Sequence, residues 1–270
     1  MNPNKTLWEK GDFTRIAETM RSSGKALVDS IDKHLPRKVL DLGCGDGTTA
    51  VPLAQSGVEV LGVDIARNLV DAGNVRAAAA NLGNLHFLEG DACKLDMLPD
   101  AAFDLTLSIF GAMFAPKPFD VAREMVRVTK PGGLIIMGNW IPNDPTSFVS
   151  QVLKISSAYT PPPPEGFVSP MTWGVESHVF ERFEKAGIPA SNISMVKDTF
   201  FFVGPMAPET FIGLFKDYYG PTMNAFEAAT KNGQEQELLN QLLELVQKQN
   251  TASDGTVKIG ATFLKVTVQR

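Results

Sequence analysis

The chain has 270 residues, 44% hydrophobic and 20% charged, with a formal net charge of -5 and a pI near 5.3. That is enough apolar material for one sizeable core with additions, and the acidic balance weighs against a nucleic-acid partner, whose phosphates call for a basic face. Two cysteines, Cys44 and Cys93, are too few for a disulfide scaffold or a Cys-based zinc site, no run reaches the roughly 18 apolar residues of a membrane span, and Met1 to Lys10 lacks the apolar core of a signal peptide, so a cytoplasmic protein is expected.

Trp8, Gly11, Asp12 and Phe13 form a mixed apolar and polar arm. It reads equally as a surface segment packing its aromatics and as a flap over a ligand. Residues 12 to 35 have helical spacing through Ile16, Met20, Leu27, Ile31 and Leu35, with Asp12 to cap the start. Ser22-Ser23-Gly24 offers a break into two helices, and Pro36 ends the region. Val39, Leu40 and Leu42 then give a buried strand, followed by Gly43-Cys44-Gly45-Asp46-Gly47. Three glycines in five residues let a ligand approach the backbone. A helix from about Thr48 to Gln55 follows, with Thr48 and Thr49 as its caps, Pro52 near its first turn and Gly57 as its stop.

Val58 to Val63 is the second strand, ending at Asp64. A helix spans Ile65 to Leu82. Leu85 to Leu88 is the third strand, followed by Glu89-Gly90-Asp91-Ala92. Phe103 to Ile109 is the fourth, Phe119 to Val128 a helix, and Leu134 to Met137 the fifth strand after Pro131-Gly132-Gly133. Strands apolar on both faces, alternating with helices, specify a parallel sheet covered on both sides. Residues 142 to 173 are rich in proline, with four in a row from Pro161 to Pro164, and read as a stiff loop or as one wall of an acceptor pocket. Val175 to Ala186 is a helix and Ser194 to Val203 a strand. Residues 208 to 250 are helical in three pieces. The last, Gln234 to Gln249, has an apolar stripe that docks internally or pairs with another chain. Val257 to Val268 closes the chain as a long strand. The aromatic stripe Phe211, Phe215, Tyr218 and Tyr219 reads mainly as packing, with pocket lining as the alternative.

The glycine turn does not fit a dinucleotide fingerprint, because Thr48 stands where the third glycine belongs. No Gly-Lys-Ser or Gly-Lys-Thr follows, which excludes a P-loop. Asp41, before the glycines, suits a cationic ligand better than a pyrophosphate. Asp64 ends the second strand, where a carboxylate accepts hydrogen bonds from ribose hydroxyls. Asp91 and the N–H of Ala92 are placed to read an adenine edge. No cluster of His, Asp and Glu suggests a metal, and none is expected.

These motifs together resemble a class I S-adenosylmethionine-dependent methyltransferase. Val39 to Gly47 is similar to that family's Asp-x-Gly-x-Gly segment, Gly62-Val63-Asp64-Ile65 to its ribose-binding acid and Gly90-Asp91-Ala92 to its adenine-contact segment. Phe103 to Ser108 and Leu134 to Asn139 resemble its fourth and fifth strands. The Lys130-Pro131-Gly132-Gly133 corner resembles the small-molecule branch, such as the ubiquinone/menaquinone C-methyltransferase-like enzymes. The likeness implies an α/β, Rossmann-like, seven-stranded sheet of order 3-2-1-4-5-7-6. The last strand is then antiparallel, helices cover both faces, and a helical insertion precedes that strand. It implies one domain, with a core of about 36–140, 175–203 and 257–268 and acceptor-cap insertions at about 142–173 and 208–250. It also implies that Asp41, Gly43, Cys44 and Gly45, with the backbone near Ser108 and Ile109, hold the methionine part of S-adenosyl-L-methionine. Asp64 and Ile65 would hold the ribose and flank the adenine, which Asp91 and Ala92 would read.

The expected reaction is methyl transfer to a small-molecule acceptor by in-line displacement, driven by positioning and exclusion of water, with S-adenosyl-L-homocysteine as product. No residue declares itself a general base. His178, Tyr159 and Tyr218 are the candidates; His34 and His86 read as a helix cap and a strand residue. The alternatives are another S-adenosylmethionine-type group transfer, a NAD-linked oxidoreductase and a non-catalytic cofactor-binding protein.

Overall fold

The computed structural model describes residues 4–31 and 37–270. The expected end of the first helical region, with His34, Leu35 and Pro36, lies outside the described residues. Seven strands form one sheet: β1 (Lys38–Leu42), β2 (Glu59–Asp64), β3 (Leu85–Glu89), β4 (Phe103–Ile109), β5 (Thr129–Trp140), β6 (Ile193–Gly204) and β7 (Val257–Gln269). Their order is β3-β2-β1-β4-β5-β7-β6. The first five pair in parallel, and β7 runs antiparallel to both β5 and β6. Val39, Leu40, Leu42, Val63, Leu105 and Leu107 are all buried, as residues on both faces of a covered parallel sheet must be. The strand order reverses between β1 and β4, so their carboxyl ends open a crevice there.

The helices between strands are α4 (Ala50–Gln55), α5 (Arg67–Ala79), α6 (Pro118–Val128) and α8 (Glu176–Lys185). Three more, α9 (Pro208–Tyr218), α10 (Gly220–Lys231) and α11 (Glu235–Gln249), lie between β6 and β7. Leu238, Leu242 and Val246 of α11 are buried against α9 and α7 (Phe148–Ser157), so this stripe docks internally. Among the described residues no helix is long and apolar enough to cross a membrane.

Three local expectations need correction. The proline-rich stretch contains α7, because Phe148, Val149 and Val152 form an apolar helical stripe that the surrounding prolines conceal. Before β1, the chain forms α1 (Asn4–Lys10), α2 (Thr14–Glu18) and α3 (Arg21–Asp29), and the break falls at Thr19 and Met20. Ser22-Ser23-Gly24 lies inside α3 as a contact surface. A Cβ on Gly24 would sit 2.5 Å from Thr48 Cγ2, so glycine is what lets α3 press onto the turn after β1. Ser23 Oγ accepts from Phe201 N–H at 2.9 Å and donates to Phe201 C=O at 3.0 Å, closing part of the free edge of β6. Finally, neither Thr48 nor Thr49 caps α4. Thr48 Oγ1 accepts from Arg21 at 2.6 Å, and Thr49 Oγ1 donates to Asp41 at 2.6 Å.

Candidate functional site

The turn after β1 lies at the crevice. Gly43, Gly45 and Gly47 have φ of +69°, +55° and +91°, which glycine adopts without the strain a Cβ would bring. Gly43 is also pressed against Gly111, past the end of β4; a Cβ on Gly111 would lie 2.1 Å from Gly43 C=O. At Gly45 a Cβ would meet nothing within 4 Å, so this face of the turn is open.

The crevice has two joined compartments. The larger, about 740 Å³ including space open to solvent, is lined by Gly43, Cys44, Gly45, Asp64, Ile65 and Ile109 among others. The smaller, about 350 Å³, continues past Gly43, Asp64 and Ile65 to Gly90, Asp91 and Ala92. Eight of the ten residues expected at the cofactor therefore line one continuous crevice. The other two lie behind it. Asp41 is 1% exposed and receives the Thr49 hydroxyl. Ser108 Oγ accepts the N–H of Ala112 at 2.9 Å and shapes the turn after β4.

Asp64 Oδ2 accepts from Gly45 N–H at 2.8 Å and Oδ1 from Ala66 N–H at 2.9 Å. Burial raises its pKa, opposed by these backbone donors. Burial also pushes Asp41 up to about 7; the Thr49 hydroxyl opposes this and the charge of Asp64 adds to it. Asp46, in the turn, has cationic partners: Arg21 holds both its oxygens and Arg76 lies 3.6 Å away. No ion pair is found for Asp41 or Asp64 among the described residues, so the wall at this point favours a positive ligand.

Several lining residues escaped sequence reasoning. Asp46 was legible as part of the turn. Phe110 was not; it has φ +62°, a rare conformation for a bulky residue, and its ring stacks on Trp140 at 3.5 Å with planes 7° apart. Phe114 comes from a segment with no sequence signal, and Phe200 from the expected strand Ser194 to Val203, where nothing marks it as lining a crevice. Trp8 and Phe13 both line the larger compartment, and Trp8 packs edge-on to Phe114 at 5.0 Å. Asn4 donates to Phe114 C=O, and Lys5 pairs with Glu89 at the end of β3. The arm is thus one wall of the crevice.

The three candidate bases are elsewhere. His178 is half-exposed on α8, 3.9 Å from Glu181. Tyr159 accepts from Gln241 at 2.9 Å and lines a separate open groove beside α10. Tyr218 lines neither compartment; its neighbour Tyr219 lines an adjoining apolar space. Among the described residues no group of His, Cys, Asp and Glu is arranged to hold a metal ion.

A methyltransferase-domain family model matches residues 40–137, and the chain belongs to the class I S-adenosylmethionine-dependent methyltransferases. It is 32% identical over 230 residues to the uncharacterized protein Rv1403c of Mycobacterium tuberculosis, spanning 83% of this chain and 80% of that one. It is 29% identical over 187 residues to a demethylmenaquinone methyltransferase of Paenarthrobacter aurescens, spanning 65% and 71%. In fold it is similar to a putative methyltransferase from Bacillus halodurans, with a TM-score of 0.57 at 18% identity over 92% and 97% of the two chains. A chain of the complex between the Haloferax volcanii Trm112 methyltransferase activator and the putative methyltransferase gives 0.59 at 19% identity over 100% and 98%.

The crevice is compatible with that cofactor class: the turn is open at Gly45, and carboxylates stand at the end of β2 and beyond β3 along the same crevice.

Proposed function

We propose that this chain transfers a methyl group from S-adenosyl-L-methionine to a small-molecule acceptor, by in-line displacement in a water-poor crevice. The observation that carries the reading is the meeting of the glycine turn, Asp64 and Asp91 along one crevice at the carboxyl edge of the sheet. The backbone of Gly43 and Gly45 would hold the methionine part, Asp64 the ribose hydroxyls, and Asp91 with Ala92 the adenine edge, flanked by Ile65. When bound, S-adenosyl-L-methionine supplies a sulfonium methyl group. Asp64 supplies negative charge beside it, while Asp41 stands behind the turn and accepts the Thr49 hydroxyl. Trp8, Phe13 and Phe114 exclude water and align the reactants. None of the three candidate bases lines the crevice, so an acceptor that must lose a proton arrives ionised or yields it to water. The reaction is assigned to the cytoplasm.

Calorimetry with S-adenosyl-L-homocysteine tests the site, and labelled S-adenosyl-L-methionine with a panel of acceptors tests the transfer. Binding followed by label in the acceptor is expected. Absence of binding by either cofactor form overturns the reading. Binding without turnover of any acceptor makes the chain a non-catalytic cofactor binder.

A further inference from the structure

The turn after β1 is anchored differently in its two halves. The first half is tied to the end of β2. Gly43 and Cys44 N–H donate to Val63 C=O at 2.7 and 3.2 Å, and Gly45 N–H donates to Asp64. The second half, Asp46 to Thr48, makes no hydrogen bond to the sheet among the described residues. A glycine-rich backbone has the most conformational freedom to lose, so something else must hold this half in one shape.

Two arginines do so through Asp46, which is 2% exposed. Arg21, the first residue of α3, donates from Nη1 to Oδ1 at 2.8 Å and from Nη2 to Oδ2, and its Nη1 also donates to Thr48 Oγ1 at 2.6 Å. Arg76 of α5 donates from Nη1 to the Asp46 C=O at 2.5 Å and lies 3.6 Å from Oδ2. Main chain and side chain of Asp46 are thus fixed from two helices. The Arg21 fork is itself preorganised, because Gly24 packs on Thr48 and Ser23 bonds Phe201 at the edge of β6.

We propose that Arg21, Asp46 and Arg76 are positioning residues for the cofactor. They hold the second half of the glycine turn in the shape that receives the amino-acid part of S-adenosyl-L-methionine. Asp46 lines the larger compartment, but both its oxygens are engaged, so it acts on the turn and not on the ligand. The proposal rests on the methyl-transfer reading, since it concerns the seat of that cofactor.

The probes are S-adenosyl-L-homocysteine and 5′-methylthioadenosine, which keeps the nucleoside and the sulfur but lacks the amino acid. Quenching of tryptophan fluorescence reports both, because Trp8 lines both compartments. Arg21→Met leaves a buried carboxylate beside a single cation, so the turn must shift to satisfy it. S-adenosyl-L-homocysteine should then bind about 10-fold more weakly, with 5′-methylthioadenosine within about 2-fold of native. Arg21→Lys keeps the charge but cannot grip two oxygens and Thr48 together, so it should fall between Arg21→Met and native. Asp46→Asn should also cost about 10-fold, and the double variant Arg21→Met/Asp46→Asn should be no worse than the weaker single by more than about 2-fold, because both act through one contact. Circular dichroism checks the fold, and Arg21→Lys carries the test if Arg21→Met does not fold. A role confined to overall stability would lower the urea midpoint and leave the ratio of the two affinities unchanged. The proposal is overturned if S-adenosyl-L-homocysteine binds the folded variants as tightly as native, if both probes weaken alike, or if the two substitutions add. Failure of the underlying reading looks different: S-adenosyl-L-homocysteine then does not bind the native chain.

Discussion

Asp41 gives the sharpest test of the electrostatics behind the turn. Its carboxyl is 1% exposed, and burial moves its pKa from 3.8 to about 7. A carboxyl with a raised folded-state pKa holds its proton more tightly in the native protein than in the unfolded chain. Its contribution to stability is complete below pH 4. It falls as pH rises toward 7 and is flat beyond. The displacement corresponds to about 4 kcal/mol, at about 1.36 kcal/mol per pH unit. Asp41→Asn removes the titration while keeping an oxygen for the Thr49 hydroxyl. The stability of the variant relative to the native chain should therefore rise by about 4 kcal/mol between pH 4 and pH 8, or roughly 10 °C in Tm. Urea unfolding of both proteins across that range measures it. Asp104, Glu124 and Asp144 have lowered pKa values and opposite slopes, and they cancel in the difference. The amide sets a constant offset between the two proteins, so the pH dependence is the readout. A difference that stays flat within about 1 kcal/mol refutes the burial argument.

Asp64→Ala should cost about 10²-fold or more in S-adenosyl-L-homocysteine affinity by calorimetry, because it removes charge-assisted hydrogen bonds to the ribose and releases Gly45 N–H; affinity within about 3-fold of native would move the ribose elsewhere. Gly111→Ala places a Cβ 2.1 Å from Gly43 C=O, so chemical denaturation should show about 1–3 kcal/mol of destabilisation. The glycine turn should shift as well, and cofactor affinity fall with it. Arg182 is 3% exposed, stacks 4.4 Å over Trp173 and donates to Thr172 at 2.6 Å, with Nη1 unpartnered and no ion pair among the described residues. Arg182→Met should be as stable as the native chain or more so, since it removes a buried cation without an ion-pair partner; a loss above about 3 kcal/mol would show that the guanidinium is compensated.

The sheet was legible because β1, β2, β4 and β5 are buried on both faces and read as short apolar runs between turn residues. The turn and Asp64 were legible for a related reason. Chemistry at a strand's carboxyl end is confined to a few consecutive residues, and those residues carry the signal. Local hydrogen bonding was less visible. Thr49 has the composition of a helix cap, but a buried carboxylate competes for its hydroxyl and wins, because an unpartnered Asp41 would cost more than an uncapped Ala50–Gln55 helix. The helix Phe148–Ser157 was missed because prolines on either side outweighed a stripe of three apolar residues, although prolines outside a helix do not oppose it.

The aromatic space beside the cofactor crevice was the least legible, and the cause is the way it is built. The cofactor crevice uses residues close to consecutive strand ends. The aromatic space beside it gathers Trp8, Phe110, Trp140, Phe202 and Tyr219 from points spread along almost the whole chain. In sequence they are far apart, and the more economical reading of each aromatic is core packing. Even the adjacent pair divides in a way that spacing does not reveal. Tyr218 faces away from the crevice, while Tyr219, at the junction of α9 and α10, lines the aromatic space. That junction is held by close backbone contact. A Cβ on Gly220 would sit 2.5 Å from Leu7 C=O, and one on Gly11 would sit 2.4 Å from Tyr218 C=O. The arm that carries Trp8 and the insertion that carries Tyr219 thus touch at two glycines. Displacing the arm would therefore disturb the α9–α10 junction as well as uncover the crevice, so the wall of the crevice and the helical insertion are packed as one unit.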